Sequence, residues 1–416
     1  MVVETNHDRE PSVSSDHHSI SNASTTASGQ SPDQLRRPST PRSSSIPLYS
    51  RGDSGPVSPL IKDLCETFFA QLGCNYPFLT PSIFMRELEE NRIESILVDA
   101  VCAIAARFSK NPILVDAGKI VNCDHTCIDR THKSKYGCVF SRRATQAITD
   151  VFTCPNLAAV QACLLLAYEQ FGADHDSGLW VYLGLSIRMA QDLGIQKLDG
   201  LRYEGYLGPT PKTAKSGAAG KLEEQNRATR YNTLCAQRPH SPEQVEAQRR
   251  AEKERINTFW AVFFLDRVVS SGTGRPVSLR DKDIEISFPS PDERESPSHW
   301  PAPFPALIRI IHLYGCISNL LNNIREANQV TAETLKRLVA AEDDLIGNYK
   351  SLSSSKNAAG LIINRHLSTS IAETTFQCGQ FSALSAPFSS NQFRAFAFLV
   401  PCPHRPRPSA DSTPFF

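Results

Sequence analysis

The sequence predicts an all-α protein, a multi-helix domain preceded by a disordered N-terminal arm and followed by an irregular C-terminal tail. Three observations carry that prediction. Apolar residues recur at helical intervals through most of residues 60–350. The runs open on capping residues or proline and close on glycine or proline, the punctuation that helices need. No stretch reads as a strand.

Residues 1–58 are rich in Ser, Thr and Pro and almost without aromatics, so they cannot bury enough apolar surface to offset their ordering entropy. They hold five Lys/Arg against six Asp/Glu, which excludes a polybasic DNA-binding arm. Order is expected from Leu60, where Leu60, Ile61, Leu64, Phe68 and Leu72 share one helical face until Asn75-Tyr76-Pro77 breaks it. Thr80-Pro81 opens a short helix carrying Ile83, Phe84 and Leu88. From Ser95 to Phe108 the chain is apolar almost all round, which predicts a deeply buried helix. A helix over 141–153 stops before Pro155, and Asn156 caps the next, with Leu157, Val160, Leu164 and Ala167. Leu179–Leu193 follows and ends at Gly194, suited to a left-handed cap.

Residues 200–240 show no periodicity and read as an exposed loop insertion. Ser241-Pro242-Glu243-Gln244 has the form of a capping box and starts a long helix, charged up to Arg255 and then burying Phe259, Trp260, Phe263, Phe264 and Leu265. A Gly-rich turn at 271–276 ends it, and 277–302 are extended. Two further helices are expected, about 304–328 and 332–349, the second with Leu335, Leu338 and Val339 on its apolar side. Residues 360–416 lose all period while keeping many phenylalanines, and read as an irregular tail or a gene-model artefact.

Bulk properties narrow the function classes. A formal net charge of +1 leaves no global footprint for nucleic acid or anionic membrane. No apolar run approaches the roughly 20 residues of a membrane span, and the opening MVVETNHDRE has no signal-peptide order. The 12 cysteines are scattered, as thiols in a cytosolic or nuclear setting would be, and Cys65, Cys102, Cys163 and Cys316 read as small buried hydrophobes. Gly272-Thr273-Gly274 lacks the strand and third glycine of a nucleotide fingerprint, and Ser353–Lys356 has no companion motif, so no enzyme is expected.

Three segments in series resemble the fungal-specific transcription factor domain, the helical regulatory region downstream of the Zn(II)2Cys6 binuclear cluster in fungal regulators. They are Phe68–Ser109, with Asn75-Tyr76-Pro77-Phe78; Val160–Gly194, with Arg188-Met189-Ala190-Gln191-Asp192-Leu193-Gly194; and Arg255–Pro276, with Phe259-Trp260, Leu265-Asp266-Arg267 and Gly274-Arg275-Pro276. The resemblance implies a nuclear protein acting on RNA polymerase II transcription, possible homo- or heterodimerisation, and a possible small-molecule effector. It implies zinc only in the family's six-cysteine cluster, which this chain lacks as written, its first cysteine being Cys65. DNA contact is then expected through a missing cluster or a partner protein, and membrane is not a partner. A helical small-molecule-binding or protein-interaction module without direct DNA contact is the alternative.

The candidate residues are those of the motifs. Arg188 and Asp192, four apart, can pair for a few tenths of a kcal/mol, but an arginine on so apolar a helix reads first as a tie to loop carbonyls or a carboxylate, and second as an effector contact. Asp266, Arg267, Gly274, Arg275 and Pro276 read as a structural turn, with proline holding Arg275 extended. Any effector cavity is expected among helices around these residues. A competing metal motif, Cys123, Cys127, His132 and Cys138, resembles a stretched zinc knuckle without its glycine, and reads rather as a polar loop with chance cysteines.

Overall fold

The computed structural model describes residues 46–73, 76–114, 136–203, 208–215, 217–234, 241–273, 275–289, 304–322, 331–337, 339–340 and 343–344. All regular structure among them is helical. In chain order the helices are α1 (Pro59–Leu72), α2 (Pro81–Glu89), α3 (Ser95–Ala105), α4 (Cys138–Ile148), α5 (Leu157–Gly172), α6 (Asp176–Asp192), α7 (Gly217–Leu234), α8 (Pro242–Thr273) and α9 (Phe304–Asn322).

The apolar α3 lies at the centre, packed by α1, α4 and α5. Every residue from Ile96 to Ala105 is buried, as an all-round apolar helix requires. Its alanines let α4 approach closely. A Cβ on Gly137, at the start of α4, would stand 2.1 Å from the Ala103 carbonyl oxygen, so only glycine fits there. Cys65 of α1 and Cys102 of α3 meet in this core, where burial pushes the Cys102 thiol well above its usual range. Phe108, expected in the core, lies beyond the end of α3 and is 37% exposed.

Helix α5 pairs with α6, and both lean on α8. Asn156 caps α5 by accepting from the Ala159 amide at 2.9 Å, whereas Thr80 stands at the N-cap of α2 without a side-chain cap bond. Gly194, with φ of +61°, turns the chain out of α6. The Ser241 hydroxyl accepts from Gln244 N at 3.2 Å and starts α8. Trp260 stacks on Phe288 with ring centroids 5.3 Å apart, folding residues 275–288 back against α8, and α9 covers this layer.

Four expectations need correction. Residues 46–58 are not all arm: Tyr49 is buried and its hydroxyl donates to the Ile93 carbonyl at 3.2 Å. The 200–240 stretch is not a plain loop, because α7 fills 217–234 and packs on a short turn at Thr213–Lys215. The apolar side expected of the helix after Thr331 is not buried, Leu335 and Val339 being 52% and 57% exposed. Cys316 is only half-buried, unlike Cys65, Cys102 and Cys163. The expected tail over 360–416 lies outside the described residues.

Candidate functional site

The third motif segment forms a clamp at the end of α8. Asp266 is fully buried and accepts from the Ser278 and Leu279 amides at 3.1 and 3.0 Å. Arg267, also buried, donates to the Leu279 carbonyl at 2.7 Å and to Asp281 at 2.6 Å, with its guanidinium 4.5 Å from the centre of the Phe263 ring. The Arg275 amide donates to the Ser270 carbonyl at 3.0 Å, closing the helix end. Arg275 itself is exposed and lies 4.4 Å over the Trp180 ring of α6, a cation–π contact. Asp266, Arg267, Arg275 and Pro276 thus meet at one turn.

The other candidates fall elsewhere. Arg188 and Asp192 are exposed, and Arg188 donates to Gln191 on its own helix at 3.2 Å. The tie to loop carbonyls expected of Arg188 belongs to Arg255, which donates to the carbonyls of Gly194 (2.7 Å), Asp199 (2.8 Å) and Lys197 (3.3 Å). Gly274, Cys123, Cys127 and His132 lie outside the described residues, and Cys138 is the first residue of α4.

A cleft of about 420 Å3 opens between residues 77–84, α2, the start of α5 and the N-terminal half of α8. Its volume falls in the range of small-molecule sites. None of Arg188, Asp192, Asp266, Arg267, Arg275 and Pro276 lines it, so it is not the cavity expected around them, although Pro77 and Phe78 of the first motif segment do. Phe78, Leu79, Ile83, Phe84 and Ala158 form apolar walls. The polar end is Glu254, which accepts from Gln161 Nε2 at 2.8 Å, while Gln161 also donates to Thr258 at 3.1 Å. Glu254 as a whole is exposed, and its carboxyl lines the cleft where the Gln161 amide meets it. Burial pushes its carboxyl above the usual range, the Gln161 hydrogen bond pulls it down, and the nearby Glu87 charge adds to the rise.

The other charges on the cleft are Arg92, Glu94, Arg250 and Lys253. Arg92 pairs with Glu90 and lies 4.0 Å from Glu87, Glu94 pairs with Arg51, and Arg250 with Glu246. A second concavity, about 460 Å3, lies between α7 and residues 282–285. Among its charges Lys212 pairs with Glu223, and Arg230 pairs with Glu285 and with Asp199 outside the lining.

Sequence reasoning missed Glu254 and Gln161 because they are 93 positions apart and Glu254 sits in a run of charges that looks solvated. The one local signal is Thr258, whose hydroxyl returns to the Glu254 carbonyl one turn back at 2.8 Å.

The described residues form an all-helical domain with a clamped motif turn and a cleft of small-molecule size. The chain belongs to the family of the fungal specific transcription factor domain, whose signature matches residues 65–337. It is similar to a Zn(2)-C6 fungal-type transcription factor, FTF1a, of Fusarium oxysporum f. sp. lycopersici, 28% identical over 235 residues, or 56% of this chain and 17% of that protein. It is also 26% identical over 227 residues to an uncharacterized transcriptional regulatory protein of Schizosaccharomyces pombe, covering 54% of this chain and 18% of the relative. A positive regulator of purine utilization from Emericella nidulans matches at 28% over 152 residues, 35% of this chain and 12% of that protein. The matched stretch spans about a fifth of the length of these relatives or less. No solved structure matches the chain significantly. No helix among the described residues is long and apolar enough to cross a membrane.

Proposed function

We propose that this chain is the effector-responsive part of a nuclear regulator of RNA polymerase II transcription, and that the effector binds in the Glu254 cleft. The domain itself does no catalysis in this reading. DNA contact comes from a zinc cluster carried elsewhere in the full protein or by a partner regulator, with which the domain pairs. Support comes from the family membership and from the motif turn, whose Asp266 and Arg267 spend their polar atoms on the chain itself rather than on a ligand.

The single observation that carries the effector reading is a carboxylate on a cleft of small-molecule size with one apolar wall, its charged form disfavoured by partial desolvation and by Glu87. A cationic group seated beside Glu254 would favour its charged form, which desolvation and Glu87 disfavour. The ligand class is therefore a small amphiphile with a protonated amine and an apolar body.

The test is thermal melting of the full chain at pH 7 with a panel of primary amines, phenethylamine among them, and their matched alcohols. Binding to the folded state raises the melting temperature as concentration passes Kd. The reading expects a rise with an amine, little with its alcohol, and no rise in Glu254→Gln. Equal effects of amine and alcohol, no effect of either, or a full effect in the variant overturn it.

A further inference from the structure

A cluster outside the cleft offers a different chemistry. His312 and Cys316 lie four residues apart on α9, hence on one helix face. Asp281 reaches the same point from the short turn Asp281–Asp283, 31 residues earlier in the chain and on the segment that folds back over α8. One ligand atom from each of the three lies within 4.8 Å of the other two. His312 Nδ1 is 3.8 Å from Asp281 Oδ1, and the Cys316 sulfur is 3.7 Å from His312 Nε2.

We propose that Asp281, His312 and Cys316 form a binding site for a zinc-class divalent metal ion that fastens the 275–288 segment to α9. The donor atoms lie near the separations a metal site needs. Zinc bonds of about 2.0–2.3 Å in tetrahedral array place neighbouring ligand atoms roughly 3.3–3.8 Å apart. One ligand atom from each residue lies within 4.8 Å of the others, so small side-chain rotations bring them to such edges around an ion held by a single imidazole nitrogen. The donors fit as well: one thiolate, one imidazole and one carboxylate make a mixed set that suits zinc rather than magnesium or calcium. Three protein ligands leave a fourth position for water.

The surroundings are those of a supported site. The His312 ring is 3% exposed and packs against Phe263 and Phe288, with centroids 6.3 and 5.1 Å away, so its position is fixed. Arg267 Nη2 holds Asp281 Oδ1 at 2.6 Å, orienting the carboxylate from outside the ligand set and leaving Oδ2 for the metal. With the Cys316 thiolate and the Asp281 carboxylate against a divalent ion and Arg267, the cluster carries one net positive charge, which the Leu279 carbonyl and the partly open Asp281 side help to solvate. Cys316 is half-buried and Asp281 partly exposed, which leaves an entry path. Occupancy would lock the motif turn, because Arg267 grips both that turn and the metal ligand.

The experiment is titration of the reduced full chain with cobalt(II), read by the near-ultraviolet thiolate-to-cobalt charge-transfer band and the visible bands of a four-coordinate ion, then by displacement with zinc(II). Cys127→Ser serves as a control for the other cysteine cluster, and circular dichroism checks each fold. The expected result is a charge-transfer band near one equivalent that zinc removes, retained in Cys127→Ser and lost in Cys316→Ser and His312→Gln. Should the buried His312→Gln fail to fold, Cys316→Ser together with Asp281→Asn decides, since both positions reach the surface. No band in the wild-type chain, a band that survives in Cys316→Ser, or one lost only in Cys127→Ser overturns the proposal.

Discussion

Two arginines on neighbouring elements do opposite amounts of structural work. Arg255 spends its guanidinium on three carbonyls of the turn after α6, while Arg188, inside the longest motif match, reaches only Gln191 on an exposed face. Charged hydrogen bonds contribute about 1.5–3 kcal/mol each at most, and the three share one cation and a partly open site. Arg255→Met is therefore expected to destabilise by about 2–3 kcal/mol in urea unfolding, and Arg188→Ala to stay within roughly 0.5 kcal/mol of wild type. Glu254 makes a pH-dependent prediction. Its folded carboxyl is raised above the unfolded value, so the fold binds that proton more tightly than the unfolded chain does. Below about pH 4, where Glu is neutral in both states, ionisation costs nothing. As pH rises through the unfolded value and then the raised folded one, the cost grows to its full size. Glu254→Gln keeps an acceptor for Gln161, so its melting temperature should match wild type at low pH and exceed it at pH 7. A constant difference across pH, or a variant less stable at pH 7, contradicts that sign. The motif residues were legible because their types suit a turn; Glu254 was not, because its partner Gln161 is remote in sequence.

At the scale of elements, periodicity recovered the helices that bury an apolar face and failed where burial is not what holds the helix. Helices α1, α3, α5, α6 and α8 carry regular apolar rows, and the structure places them within a few residues of the expected bounds. The region of α7 has no such row. Residues 217–234 instead hold many good helix formers, Ala, Glu, Gln, Lys and Arg, so propensity was the available signal. What docks the helix is polar: Arg227 donates to Ser287 at 2.8 Å and to the Gly208 carbonyl, and Arg230 reaches Asp199 and Glu285. These links join residues 19 to 60 positions apart and leave no local trace. Native-state hydrogen exchange tests the element directly. Amides of 222–233 should be protected by at least tenfold over an unstructured peptide, and Arg227→Met should lower that protection while leaving α3 amides unchanged. Free exchange across 217–234 in the wild-type chain would return the stretch to a loop.

The described residues form a helical body built round α3 and α8, with most of the family's motif residues divided between core packing and one clamped turn. That division explains why sequence resemblance reached the family so readily and the cleft so poorly. The recurring words, Phe259-Trp260 and Asp266-Arg267, are buried, and core positions tolerate little change in volume or pairing. The cleft is assembled from four segments remote in sequence, two of them touching motif residues, so its shape exists only after folding. The most direct measurement fuses the full chain to a heterologous DNA-binding domain and reads transcription of a reporter carrying that domain's sites in a fungal host. A regulatory domain should move reporter transcript several-fold, up or down, relative to the DNA-binding domain alone, and Glu254→Gln should change that output at equal protein level. Reporter output identical to the DNA-binding domain alone, with the fusion present in the nucleus, would contradict a regulatory role and leave a helical binding module in its place.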